Sequence, residues 1–143
     1  MAIKQISVFL ENKPGMLDSM TAVLAENNID LRALSLAETK DFGIVRLIAD
    51  DAFETARVLK DNGYIANMTP VIAVAIPDMV GGLSKVLGAL TKASINLEYM
   101  YASLGGKSNT AYMILRVEET ERAEAALRAG GFRLADQETV AEM

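Results

Sequence analysis

Apolar positions along the chain follow two periods in turn. From Met1 to Phe9 polar and apolar residues alternate, a short β-rich run. Leu17, Met20, Val23 and Leu24 then recur at helical spacing. Leu31–Leu36 and Ile44–Ala49 read as two strands joined by the polar turn Thr39-Lys40-Asp41. Ala52–Asp61 is a second helix stopped at Gly63, and one more short strand follows. The same order then begins again. Leu83, Val86, Leu87 and Leu90 are helical in spacing, Tyr99–Leu104 and Ala111–Val117 form a hairpin, and Thr120–Ala129 closes as a helix before Gly131.

The second half restates the first residue by residue. Gly15, Leu17, Leu24 and Ile29 match Gly81, Leu83, Leu90 and Ile95 at a constant offset. Asp50-Asp51, Leu59 and Gly63-Tyr64 match Glu118-Glu119, Leu127 and Gly131-Phe132 once two extra residues are allowed around Gly105-Gly106. The order βαββαβ occurs twice. Right-handed crossovers turn each copy into a four-stranded antiparallel sheet with both helices on one face. The expected fold class is α+β, two ferredoxin-like domains side by side, 1–69 and 70–143. Thr69-Pro70-Val71 reads as a minimal connection, too short for a flexible linker, so the halves are expected in fixed contact. For Gln137–Met143, fraying and a closing strand both stay open.

Composition narrows the chemistry. With 51% hydrophobic and 23% charged residues the chain should pack a core. It has no cysteine and no histidine, which removes disulfides, thiolate nucleophiles, the usual proton shuttle and the commonest metal ligands. No catalytic residues, metal or cofactor are expected. A net charge of -5 without a basic stripe argues against nucleic acid. No export signal or bilayer-length apolar run is visible, so a soluble cytoplasmic protein with no membrane partner is expected. Domains of about 70 residues bury only about 60% of their unfolded surface, which favours a homo-oligomer, a dimer in the simplest case.

Two segments carry a family resemblance. Phe9-Leu10-Glu11-Asn12-Lys13-Pro14-Gly15-Met16-Leu17 with Asn28-Ile29-Asp30-Leu31 resembles the ACT domain signature, a strand ending in Asn-x-Pro-Gly that opens a helix. Ile76-Pro77-Asp78-Met79-Val80-Gly81-Gly82-Leu83 with Ile95-Asn96-Leu97 is similar to the Pro-Asp-x-x-Gly form of aspartokinase-type ACT pairs. The resemblance implies allosteric binding of a free amino acid where two domains meet. It places Asn12, Pro14, Gly15, Met16 and Leu17 opposite Asn96 in one neutral site, and Asp78, Gly81, Gly82 and Leu83 opposite Asp30 in another. A pair of carboxylates in the second would favour a ligand with added positive charge. The helix starts suit an α-carboxylate, because their N–H groups and dipole attract anions. Asn12 and Asp78 could then accept from the ammonium.

Each of these residues also has a plain reading, glycines as permissive turns and Asn or Asp as caps. The resemblance implies an amino-acid sensor. Its rival is a regulatory subunit that binds an amino-acid biosynthetic enzyme. A third reading, an acylphosphatase-like hydrolase, needs an arginine-bearing phosphate loop after the first strand, where this chain offers only Lys13.

Overall fold

The computed structural model describes residues 2–104 and 110–142; the expected insertion around Gly105-Gly106 lies outside them. Its elements are β1 (Ile3–Glu11), α1 (Met16–Glu26), β2 (Leu31–Glu38), β3 (Phe42–Ala49), α2 (Ala52–Asp61), β4 (Ile65–Ile76), α3 (Gly82–Lys92), β5 (Leu97–Ala102), β6 (Ala111–Val117), α4 (Thr120–Ala129), β7 (Leu134–Ala135) and α5 (Gln137–Glu142). By its internal contacts the chain divides into two compact units, Lys4–Thr69 and Pro70–Met143, the latter taking in Met1–Ile3.

In the first unit the strand order is β2-β3-β1-β4. Antiparallel pairing sets Val8 against Val45 and Leu36 against Val45, and sets Leu10 and Glu38 against Gly43. Ile6, Val8, Leu10, Val45 and Leu47 thus share one sheet face, where they pack with Met20 and Leu24 of α1 and Ala56 and Leu59 of α2. Both helices lie on that face. The second unit repeats the plan as β7-β4-β6-β5. Its core joins Ile72, Val74, Leu115 and Val117 to Val86 and Leu90 of α3 and Ala123 and Leu127 of α4. This is the expected α+β fold with antiparallel strands. Both second strands carry the same irregularity, at Arg32 in β2 and Glu98 in β5.

All four long helices end alike. Ile29 N–H donates to Leu24 O and Asn28 N–H to Ala25 O. The same pair of bonds recurs from Tyr64 and Gly63, from Ile95 and Ser94, and from Phe132 and Gly131. Asn28, Gly63, Ser94 and Gly131 accordingly sit at positive φ. This C-cap uses up otherwise orphaned carbonyls and brings the apolar residue after the cap onto the last turn. The spacing Leu24–Ile29, Leu59–Tyr64, Leu90–Ile95 and Leu127–Phe132 is its signature in sequence.

One expectation is refined and one corrected. The two units divide between Thr69 and Pro70, within the expected minimal connection, and that connection lies inside a single 12-residue strand, Ile65–Ile76. The Pro70 carbonyl accepts from Arg116 Nη1 at 3.0 Å. Gln137–Glu142 neither fray nor extend a strand; they form α5, because Asp136 Oδ1 accepts from Thr139 N–H at 2.7 Å and Val140 is fully buried. The closing strand β7 is only two residues long.

Candidate functional site

The helix starts differ in how the first turn is closed, and α4 begins after Glu119 without a side-chain cap. At α2 and α5 an aspartate closes the first turn: Asp51 accepts from Glu54 N–H, Asp136 from Thr139 N–H. At α1 and α3 the N-cap is a glycine in the left-handed region, Gly15 at φ +83° and Gly81 at φ +81°, with no side-chain cap. A side chain would be strained in that conformation. In α1 the N–H groups of Leu17 and Asp18 therefore leave the first turn without a protein partner. The dipole adds partial positive charge at this end, and Asp18 in the first turn offsets part of it.

A cleft of about 370 Å³ opens beside this turn, lined by Leu10, Glu11, Asn12, Lys13, Met16, Leu17, Leu36, Glu38 and Gly43. Strand register builds its floor, since Leu10, Gly43 and Glu38 lie in one row across β1, β3 and β2. Asn12 is anchored by its backbone N–H to Asp41 O at 3.0 Å. Its Nδ2 donates to Glu38 Oε2 at 3.1 Å and to Thr39 O at 3.5 Å, so its Oδ1 is left as an acceptor. At the rim Lys13 Nζ pairs with Glu11 Oε2 at 2.7 Å, and that hydrogen bond and the carboxylate charge hold the ammonium's pKa above its ordinary value. The cleft combines acceptors (Asn12 Oδ1, Glu38), unpaired N–H donors at the start of α1, and apolar walls from Leu10, Leu36, Met16 and Leu17.

Of the sequence candidates in this unit, Asn12, Met16 and Leu17 line the cleft, whereas Pro14 and Gly15 shape the turn that leads into α1. Asp30 lies at the other end of the same sheet. Its carboxylate accepts from Arg32 Nη2 at 2.9 Å, and its backbone N–H donates to Asp50 Oδ1 at 3.1 Å. Glu38 and Leu36 were not anticipated. Their signal was the hairpin register, which sets them over Gly43 and Val45 and so beside Leu10.

The second unit disposes its candidates differently. Asp78 borders a shallow depression of about 400 Å³ with Ile76, Pro77, Thr110, Phe132 and Arg133, which Gly81, Gly82 and Leu83 do not line. Gly82 has a packing role: a Cβ there would stand 2.2 Å from Pro77 O. Leu83 follows it half-buried in α3. Asn96 borders a depression of about 160 Å³ with Glu98, Glu118, Glu119 and Arg122. Arg122 is held there by Glu119 and by the Ala93 carbonyl. Met79 stands where the first copy has Lys13. A larger groove, about 670 Å³ between α3 and α4, has no carboxylate in its lining and so no counterpart for an ammonium. Among the described residues no cluster of three or more Asp or Glu side chains is arranged to hold a metal ion, and no helix is long and apolar enough to cross a membrane.

Comparison with known proteins agrees with this architecture. The family model described as ACT domain pair matches residues 1–143. A crystal structure of a protein from Bacteroides thetaiotaomicron is similar at 37% identity and TM-score 0.92, covering 100% of this chain and 98% of that one. The regulatory subunit of aspartate kinase from Thermus thermophilus, in a ligand-free form, shares the fold at 21% identity and TM-score 0.67, over 88% of this chain and 89% of that one. Its counterpart from Thermus flavus does so at 20% identity and TM-score 0.64, over 90% of each chain. No curated protein matches the chain. A full-length family match, a full-length relative and a doubled βαββαβ plan lead to one conclusion: the chain belongs to the ACT domain pair family.

Proposed function

We propose that the chain is a regulatory protein without catalytic activity that binds a free amino acid in the cleft beside the β1–α1 turn. The observation that carries this reading is the pairing of an uncapped α1 start with Asn12 and Glu38 across one small cleft. The α-carboxylate takes the N–H groups of Leu17 and Asp18, and the ammonium takes Asn12 Oδ1 and the Glu38 carboxylate. Leu10, Leu36 and Met16 then face an apolar ligand side chain. Residues 1–69 and 70–143 are the two domains of this reading, and the intact protein works in the cytoplasm as a homo-oligomer.

Thermal unfolding in the presence of each of the twenty amino acids tests it. A ligand at 100 times its dissociation constant stabilises the folded protein by about 2.7 kcal/mol. The expected result is an upward shift with one or a few apolar amino acids, absent in Asn12→Ala. A flat response to all twenty overturns the reading. That result would move weight to a second one, control of a larger amino-acid biosynthetic enzyme by direct binding, which the shared fold with aspartate kinase regulatory subunits favours.

A further inference from the structure

The groove between α3 and α4 exists because the residues along it are small. Gly88 and Ala89 on α3 face Ala126 and Ala129 on α4, and Phe132 closes one end. The matching positions in the first unit carry Ala22, Val23, Val58 and Asp61; there Val58 is buried and Val23 packs on the core. The first unit thus carries larger side chains at these positions. Lys85 and Lys92 flank the groove at i and i+7, both exposed. Lys92 has no ion-pair partner among the described residues, and Lys85 Nζ meets only Met79 Sδ, at 3.8 Å.

Helix α1 carries the complementary pattern. Asp18, Ala22 and Glu26 follow one another at i, i+4 and i+8, all exposed, and neither acid has an ion-pair partner among the described residues. At 1.5 Å per residue the two acids stand about 12 Å apart along the axis and the two lysines about 10.5 Å. One helix reads acid, small, acid; the other reads base, small, base, over matching lengths. Small residues at the centre let two helices approach closely, and unpaired charges at the ends set partner and register.

We propose that the α3–α4 groove is an interface between copies of this chain, filled by the Asp18–Ala22–Glu26 stripe of α1 from a second copy. The contact joins two different patches. It is made twice in a two-fold pair, or it propagates into a ring or filament. It does not depend on an amino acid being bound.

Sedimentation velocity on the full chain without added amino acid tests the proposal. Wild type should self-associate at micromolar concentrations. Lys85→Glu with Lys92→Glu should weaken association at least tenfold, as should Asp18→Lys with Glu26→Lys. Mixing the two double variants should restore it, because the acidic groove of one then meets the basic helix of the other. The chain has no cysteine, so Ala22→Cys in one preparation and Ala89→Cys in another give an independent readout, heterodimer formation with a short bis-maleimide. A monomeric wild type overturns the proposal. So do folded charge-reversal variants that associate like wild type, a mixture that stays apart, or no cross-linked heterodimer.

Discussion

The side-chain amide of Asn12 donates to the carboxylate of Glu38 at 3.1 Å, tying the end of β1 to the end of β2. This bond fixes the amide so that Oδ1, its acceptor, has no protein partner. It also places a carboxylate beside that acceptor. Two acceptors at one end of a cleft and free N–H donors at the start of α1 are what a zwitterion requires.

Glu38 should therefore matter as much as Asn12, although no signature residue marks it. Glu38→Gln keeps the size of the side chain and removes its charge. A hydrogen bond to a charged group is worth about 1.5–3 kcal/mol, so affinity for the bound amino acid should fall about tenfold or more. Calorimetric titration of Glu38→Gln beside Glu11→Gln checks this. Glu11 is paired with Lys13 at the rim, and its loss should cost much less. Equal effects from both would mean that the cleft responds only to total charge.

Much of the fold was legible because local signals and long-range packing agree. The limits of α2 and α4 follow from an acidic start, a helical stripe and a glycine, and Ala111–Val117 was legible from its apolar run. Where they disagree, the sequence falls short. Thr69-Pro70 reads as a minimal connection and the two units do divide there, but only the structure shows one strand, β4, running through it. Glu38 was invisible because its relation to Asn12, 26 residues away, appears only once hairpin register is known. Gly82 looked like part of a ligand loop, and only three-dimensional packing shows Pro77 lying against it.

Two glycines at helix starts should fail for different reasons. Gly15 has φ +83° and open space where a Cβ would stand, so Gly15→Ala costs conformational energy alone, about 1–2 kcal/mol. Gly82 has an ordinary φ, but its Cβ would fall 2.2 Å from Pro77 O, a backbone atom that cannot rotate away. Gly82→Ala must displace the end of β4 or the start of α3, at about 1–3 kcal/mol or more. Urea unfolding should rank Gly82→Ala below Gly15→Ala, and Gly15→Asn should recover part of the loss because asparagine tolerates positive φ. The reverse ranking would show that the turn at Pro77 yields easily.

The short helix α5 should respond to acid through Asp136. Its Oδ1 accepts from Thr139 N–H at 2.7 Å and from Thr139 Oγ1 at 2.8 Å, and these bonds, backbone first, hold the carboxyl below the ordinary aspartate range. The folded pKa is thus lower than the unfolded one. The stabilisation is complete above the unfolded value, about 3.9, and is lost as pH falls through the folded value beneath it. By NMR the Thr139 amide proton should titrate with a midpoint below that of an unfolded aspartate, with Val140 loosening in parallel. Asp136→Asn keeps a good N-cap, since asparagine caps as well as aspartate. It should hold α5 in place while abolishing the Thr139 titration. Asp136→Ala should release Val140 from the core at every pH. A Thr139 titration that persisted unchanged in Asp136→Asn would assign it to a group other than Asp136.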